Sequence, residues 1–442
     1  MPDITPLFHT RRSGIPAEGP FQVELLVRLQ APDAPESAKP RSPLHLAVVL
    51  DRSGSMSGQP LREACRCAAA IMDRMGPKDR MALVAYDNRV RVLRPCVPLH
   101  DREEVRRILG AIDPGGNTDL HLGWTTGIAE LQKAHAEGVI SRVLLLSDGC
   151  ANAGITDPDE LSAACTKAQS TGISTSTYGL GRSFEENLMT AMARHGQGRA
   201  YFGETAEDLL DPFMEEFDLL SNLVARKLTV SLKALPGVRI TQLNDYLPAA
   251  PDAWFLPDLA YQAEAWALFR LEGEASLLPH NAEGILDLVQ MTVSWQGEDG
   301  VPQGLPTHSV RLPLLPSVAY ADLPEDPLVV LRAGELRSAE LQEQAYQAAR
   351  AGDWARLRAL LDEMKVAAAD NQWTQSVVQD LERLLEGGDD GMFMKELRFS
   401  SYTSKMRLTT KDETRDFMLP ITSSYTRRKR RQGKSQDNNG QP

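Results

Sequence analysis

The sequence predicts an α/β protein that contains a doubly wound, mostly parallel sheet. The first observation is that apolar runs recur between about residues 44 and 222, and such runs are typical of strands buried on both faces of a parallel sheet. These runs are LHLAVVLD, MALVAYD, VISRVLLLSD and ISTSTYGLG. The second observation is that helical stretches lie between the runs, which is the pattern of a doubly wound sheet.

Helix starts in this part are indicated by capping residues. A proline at the first helical position predicts a helix over Pro60–Met75. Asp157, which precedes a proline, is expected to be an N-cap. Ser183, three residues before Glu186, predicts a second capped helix start.

Beyond residue 223 the pattern changes to the partial alternation of an antiparallel β-sandwich, broken by turns with proline and glycine. The runs are RKLTVSLKA, AWALFRLEG and ILDLVQMTVSW. FQVELLVRL, near the N-terminus, alternates in the same way, and we expect it to pair with this domain. The α/β domain would then be inserted between two parts of the sandwich.

A helical segment follows, with two apolar faces that fit a small antiparallel bundle. Ser338 is expected to cap one helix, Gly352-Asp353 to end it and start another, and Gly387-Gly388 to end a third. The predicted domains are an N-terminal strand and linker (1–40), the α/β domain (41–222), the β-sandwich (223–322), the helical bundle (323–388) and a C-terminal extension with a disordered basic tail (389–442).

Composition narrows the class of protein. The net charge of −12 argues against a large nucleic-acid surface. No 18-residue apolar stretch is present, so no transmembrane segment is expected. The first residues have no apolar core of a secretory signal, and the five cysteines lack metal-type spacing. We therefore expect reduced cysteines and a cytoplasmic protein.

Polar residues follow three of the predicted strands. Asp51, Ser53 and Ser55 form a D-x-S-x-S set directly after the first apolar run, Thr118 follows a Gly-Gly turn, and Asp148 ends another run. Ligands of doubly wound sheets bind at the carboxyl ends of the strands, where these residues would meet. Each residue alone is better explained as a helix cap or a turn residue.

The five residues in this order resemble the metal-ion-dependent adhesion site (MIDAS) of the von Willebrand factor type A family. The resemblance covers residues 44 to about 222 and implies a Rossmann-like fold. It implies a Mg²⁺ or Mn²⁺ ion held directly by Ser53, Ser55 and Thr118, with Asp51 and Asp148 acting through water. The order of the parts is also similar to bacterial proteins related to inter-alpha-trypsin inhibitor heavy chains.

The resemblance implies a metal-dependent protein–protein interaction module, and the missing secretory signal and the reduced cysteines favour an intracellular one. Few direct anionic ligands leave the ion free to bind an Asp or Glu of a partner, and a signalling adaptor is one such role. The alternatives are an accessory subunit of a chelatase-type or MoxR-type AAA ATPase, and a surface adhesin. The sequence contains no G-x-x-x-x-G-K-[ST], G-x-S-x-G or H-E-x-x-H motif, so no enzymatic activity is expected.

The C-terminal tail carries a second, independent hypothesis. Thr422 and Thr426 lie beside five consecutive basic residues, 427–431. In a disordered segment these hydroxyls would be accessible to a kinase, and the phosphate would be recognised by an arginine-lined domain. The alternatives are a solubilising tail and a basic segment that contacts nucleic acid or anionic lipid.

Overall fold

A computed structural model describes residues 4–35, 41–149, 151–181, 183–279, 284–368, 371–406 and 409–410. These residues fall into two compact units. The first lies within Met1–Ser37, Leu223–Gly297 and Val301–Pro442, and the second within Ala38–Asn222 and Glu298–Gly300. Within the described residues, no helix has the length and apolar character needed to cross a membrane.

The strands of the described residues are numbered in chain order. They are β1 (Thr5–Thr10), β2 (Ile15–Pro16), β3 (Pro20–Gln30), β4 (Leu44–Asp51), β5 (Arg80–Tyr86), β6 (Val90–Pro98), β7 (Ile140–Ser147), β8 (Ile173–Leu180), β9 (Gln197–Gly203), β10 (Leu223–Ala234), β11 (Arg239–Gln242), β12 (Pro248–Ala250), β13 (Ala253–Phe255), β14 (Leu259–Ala260), β15 (Ala263–Glu274), β16 (Ile285–Gln296), β17 (Pro302–Gly304), β18 (His308–Leu315) and β19 (Thr409–Thr410).

The α-helices are numbered in the same way. They are α1 (Gln59–Arg74), α2 (Arg102–Gly110), α3 (Leu120–Lys133), α4 (Pro158–Ser170), α5 (Glu186–His195), α6 (Leu210–Ser221), α7 (Ser317–Ala321), α8 (Pro327–Arg350), α9 (Trp354–Ala367), α10 (Gln372–Glu386) and α11 (Asp390–Met406). Short 3₁₀ turns occur at Gly54–Met56, Ala206–Leu209 and Ala275–Leu277.

The second unit is built on a six-stranded sheet with the order β6-β5-β4-β7-β8-β9. β4 is parallel to β5 and β7, and β6 joins β5 in antiparallel orientation. Every residue of β4 and β7 is buried, because helices cover the sheet on both faces. The predicted doubly wound, mostly parallel sheet is therefore confirmed.

The strand order also fixes where a ligand would bind. β4 and β7 are neighbours, but the chain leaves β4 toward β5 on one side and leaves β7 toward β8 on the other. This reversal is a topological switch point, and it opens a crevice at the carboxyl ends of the two strands. Asp51 ends β4 and Ser147 ends β7.

The first unit contains two mainly antiparallel sheets, as the sequence predicts. One has the order β1-β3-β15-β11, with β19 beside β15, and the other has the order β12-β13-β10-β16-β18-β2. β3 pairs with β15 along its whole length, from Pro20 to Gln30. Alternate residues of this pair, such as Leu25 and Phe269, lie in the core of the unit.

The opposite face of the β3–β15 pair is also buried. Leu26, Trp266 and Leu268 form a separate apolar cluster with Leu328 and Val329 of α8. Because both faces of β3 are covered, seven consecutive residues of that strand are buried. The first unit thus has the predicted C-terminal helices packed on one of its sheets.

Two predicted helix starts are wrong. Ser338 lies inside α8, where its hydroxyl accepts a hydrogen bond from Gln342 Nε2, and Asp326 caps the helix instead. Ser183 lies three residues before α5, whose N-cap is Glu185 and has no side-chain capping bond. In both places a serine near a helical stretch was not by itself enough to locate the helix start.

Other expected helix boundaries are confirmed. Asp157 Oδ1 accepts hydrogen bonds from the amides of Asp159 and Glu160, 2.9 Å each, and caps α4. Asp353 caps α9. α11, which follows the predicted bundle, is a further helix that packs against α8 and α10.

The four cysteines within the described residues are free thiols. Burial raises the pKa of Cys65 and Cys96 to about 11 and of Cys67 and Cys165 to about 12. These thiols therefore stay protonated and are poor nucleophiles at neutral pH. Cys150 lies outside the described residues.

Candidate metal centre

The D-x-S-x-S segment forms a tight polar turn at the end of β4. Asp51 is fully buried, and its Oδ1 accepts a hydrogen bond of 2.8 Å from the Ser53 amide. Its Oδ2 accepts one of 2.6 Å from Ser147 Oγ at the end of β7. The 3₁₀ turn at Gly54–Met56 then places Ser55 at the surface, with its Oγ 3.1 Å from Ser53 Oγ.

Asp148 and Thr118 lie beside these serines. Ser55 Oγ donates a hydrogen bond of 2.8 Å to Asp148 Oδ1. A Cβ atom placed on Gly149 would be 3.5 Å from Thr118 Oγ1 and 3.7 Å from Ser55 Oγ, so both hydroxyls border the same glycine. The structure therefore brings all five predicted site residues together at the switch point.

Asp87, which follows β5, connects the loops around this centre. Its carboxylate accepts hydrogen bonds of 2.5 Å from Arg52 Nη2 and 3.2 Å from the Gly116 amide. Arg52 Nη1 also donates to the carbonyl oxygen of Asp113, at 2.9 Å. Neither Asp87 nor Arg52 was predicted as a site residue, although Asp87 ends the apolar run MALVAYD.

The Gly-Gly turn is required by this packing. A Cβ atom on Gly115 would lie 1.9 Å from Asp87 Oδ2 and 3.1 Å from the guanidinium carbon of Arg52, so a larger residue would displace this ion pair. The Gly115 amide donates to the Arg52 carbonyl at 2.5 Å, and the Gly54 amide donates to the Gly116 carbonyl at 3.1 Å. The loop that carries Thr118 is therefore held against the serine loop by backbone hydrogen bonds.

Asn152 fixes Thr118 from the other side. Its Oδ1 accepts a hydrogen bond of 2.9 Å from the Thr118 amide, and its own amide donates to the Thr118 carbonyl at 3.2 Å. Asp119 caps α3 by accepting a hydrogen bond of 2.9 Å from the Leu122 amide. Asn152 had no signal in the sequence, because its contact spans 34 residues.

Two carboxyl groups of this centre have raised pKa values. Burial raises the pKa of Asp51, and hydrogen bonds from Ser147 and Ser53 partly offset the rise. Burial raises the pKa of Asp148 to about 6, and the charge of Asp51 adds to that rise. A divalent cation would stabilise both ionised carboxylates, because an opposite charge within a few ångströms favours the ionised form.

The donor set suits a hard cation. Three hydroxyl oxygens and two carboxylates are oxygen donors of the kind that Mg²⁺ and Mn²⁺ bind. Among the described residues, no group of three or more His, Cys, Asp or Glu side chains is arranged to hold a metal ion. Hydroxyls supply three of the five oxygen donors at this centre, and carboxylates supply the other two.

Comparison with known proteins agrees with the family resemblance of the sequence. Residues 45–215 match the model of the von Willebrand factor type A domain. The protein sll0103 of Synechocystis sp. is 27% identical over 212 residues, which is 48% of this chain and 50% of that protein. Human inter-alpha-trypsin inhibitor heavy chain H3 is 28% identical over 189 residues, 40% of this chain and 21% of that one. The chain thus spans half or less of the length of these relatives.

A solved structure matches over most of the chain. The von Willebrand factor type A protein from Catenulispora acidiphila has a TM-score of 0.72 at 16% identity, and the match covers 90% of this chain and 96% of that one. At this identity the match concerns the fold. Together with the sequence matches, it shows that the chain contains a von Willebrand factor type A domain, which covers residues 45–215.

Proposed function

We propose that the chain is a protein–protein interaction module that binds an acidic residue of its partner through a divalent cation. The observation that carries the proposal is the convergence of Ser53, Ser55 and Asp148 through hydrogen bonds of 2.8 to 3.1 Å at the switch point. Ser53, Ser55 and Thr118 would hold the ion directly, and Asp51 and Asp148 would act through water. When bound, the positively charged ion supplies an open coordination position for a carboxylate.

The chemistry of the donors favours binding of an external acid. The three side chains that would hold the ion directly are hydroxyls, which are neutral. The charge of the ion would therefore not be compensated by any direct ligand from the chain. Asp51 is fully buried and held by Ser147 and Ser53, which keeps it behind the turn. Ser55, by contrast, is exposed, so the open side of the centre faces solvent. A partner carboxylate approaching from that side would complete the coordination.

Cation binding is expected to weaken in acid. Because the pKa of Asp148 is raised to about 6, this group is ionised at pH 7 and takes up a proton as the pH falls through 6. Protons then compete with the cation, and the apparent affinity for Mg²⁺ should fall roughly tenfold per pH unit below 6. Mg²⁺ titrations at several pH values measure this effect. An Mg²⁺ affinity that stays unchanged from pH 7 to pH 5 would contradict the prediction.

Affinity capture tests the proposal directly. Partners captured by the full chain in Mg²⁺ or Mn²⁺ should be released by chelator and lost with Ser53→Ala. Ser57→Ala is the matched control, because Ser57 is an exposed serine at the end of the same turn. Partners that resist both the chelator and Ser53→Ala would place the interface elsewhere.

The remaining parts of the proposal concern where the chain acts. We propose an intracellular role, supported by the free thiols of the described cysteines. Thr422 and Thr426 lie outside the described residues, so recognition of a phosphorylated tail by a signalling partner stays a prediction from sequence. Mass spectrometry of the protein from its native host would detect that modification.

A further inference from the structure

Two large apolar side chains are exposed beside the centre. Leu122, in the first turn of α3, and Ile155, in the loop between β7 and α4, are each 36% exposed. Leu122 lies four residues after Thr118, and Ile155 lies three residues after Asn152, which holds the Thr118 backbone. Exposed aliphatic side chains next to a binding centre are candidates for contact with the same partner.

Asp119 brings the segments of these two residues together. Its Oδ1 accepts the hydrogen bond from the Leu122 amide, at 2.9 Å. A Cβ atom on Gly154, which has a φ of +70°, would lie only 2.4 Å from that same oxygen. The Gly154–Ile155 turn is therefore packed on the carboxylate that caps α3. Leu122 and Ile155 consequently lie on neighbouring backbone segments at the edge of the centre.

Acidic groups follow Ile155 in the sequence, at the start of α4. Asp157 accepts hydrogen bonds from the amides of Asp159 and Glu160 and so caps α4. The side chains of Asp159 and Glu160 are exposed, and neither forms an ion pair with another of the described residues. This negative charge would attract a basic group of a partner, and it would repel an acidic one.

We propose that this surface recognises a partner segment in which the acidic residue is flanked, on one side, by a large apolar residue and then by a basic one. The carboxylate contact rests on the proposed cation centre. The apolar residue would cover Leu122 and Ile155, and the basic residue would pair with Asp159 or Glu160. The order of these three contacts follows the order along the chain, in which Ile155 comes after Asn152 and before the acids of α4.

A peptide library on beads tests the inference with a defined probe. Each peptide has one fixed central aspartate and random flanking residues, and the full chain is applied with Mg²⁺. The expected result is enrichment of Leu, Ile, Phe or Met next to the aspartate, followed by Lys or Arg. In the Leu122→Ser/Ile155→Ser variant, the affinity for selected peptides should fall about tenfold, as for loss of an apolar interface contact.

Two controls separate this inference from the proposed function. The Leu122→Ser/Ile155→Ser variant should keep the Mg²⁺ affinity of the parent chain, whereas Ser53→Ala should lose both Mg²⁺ and all peptides. Val97→Ser is the matched surface control, since Val97 is 39% exposed on β6 and pairs with Met81 at the start of β5, away from the carboxyl ends.

The outcomes are distinct. Mg²⁺-dependent capture of aspartate peptides with no apolar preference, or with a preference that the double variant retains, would overturn this inference alone. Selection of apolar but not basic neighbours, unchanged by Asp159→Lys/Glu160→Lys, would overturn the assignment of the acids. A chain that takes up no Mg²⁺ and captures no peptide would overturn both this inference and the proposed function.

Discussion

Arg142→Met is expected to lower the free energy of unfolding of the α/β unit by about 3–5 kcal/mol, the usual cost of removing one partner from a buried ion pair. Arg142, on β7, and Glu216, on α6, are 2% and 0% exposed and form a direct ion pair. Glu216 also accepts hydrogen bonds of 2.6 Å from Ser176 Oγ and 3.0 Å from Tyr201 Oη. These contacts attach α6 to the sheet.

The charge of Arg142 favours the ionised form of Glu216. Burial alone raises the pKa of Glu216, but the charges of Arg142 and Arg199 and the hydrogen bond from Ser176 outweigh it, and the pKa lies below its ordinary value. Without Arg142, an acid at this position would have to be buried with much less compensation. The folded state would therefore lose stability above the pKa of the unfolded carboxyl, where the ionised form has to be buried.

Arg74→Met, at the end of α1, provides a matched control, because Arg74 also pairs with an acidic residue of α6. Arg74 pairs with Asp218 of α6 at 2.6 Å, but their side chains are 48% and 60% exposed. An exposed pair of this kind contributes about 0–1 kcal/mol. Hydrogen exchange of the β7 amides in urea measures both variants in this unit. Equal effects of the two substitutions would contradict the assigned role of the buried pair.

Saturating Mg²⁺ is expected to stabilise the α/β unit by about 2.7 kcal/mol when its free concentration is about 100 times Kd. The physical reason is that the folded state gathers the five donors and the unfolded chain does not. Ser53→Ala and Thr118→Val would each remove one of the hydroxyls that we propose to hold the ion directly, with little change of volume. Both variants should lose most of the gain while remaining folded, as urea denaturation with Mg²⁺ or chelator would measure.

Asp148→Asn separates cation binding from folding. Because burial and the charge of Asp51 raise the pKa of Asp148, the ionised carboxyl is disfavoured in the cation-free fold. The amide should therefore keep or raise the stability measured in chelator, while the gain from Mg²⁺ disappears. The same Mg²⁺ gain in the parent chain, Ser53→Ala and Asp148→Asn would show that the ion acts at another place.

The sheet, and the turn that brings Asp51, Ser53 and Ser55 together, were predictable because both depend on local sequence. A buried strand such as LHLAVVLD is recognisable from its composition, and residues that end parallel strands must meet at one edge. Asp51, Ser53 and Ser55 are neighbours in sequence, so their turn required no knowledge of distant contacts. Thr118 and Asp148 were identified from their order along the chain in the family pattern.

The residues that hold the site loops in place were not predictable, because their contacts join distant parts of the sequence. The Arg52–Asp87 pair joins residues 35 positions apart, and the Asn152–Thr118 contact joins residues 34 apart. Nothing in the local sequence distinguishes such residues from ordinary turn residues. α11 was missed because its buried positions include Ser400, Ser401 and Ser404, so its apolar pattern is weak.

Calorimetric titration of the full chain with Mg²⁺, and separately with Mn²⁺, measures whether the centre binds a cation. We expect saturable uptake of one ion per chain at the centre formed by Asp51, Ser53, Ser55, Thr118 and Asp148, and loss of that uptake in Ser53→Ala but not in Ser57→Ala. No uptake of either ion by the folded chain, or equal uptake by both variants, would contradict it.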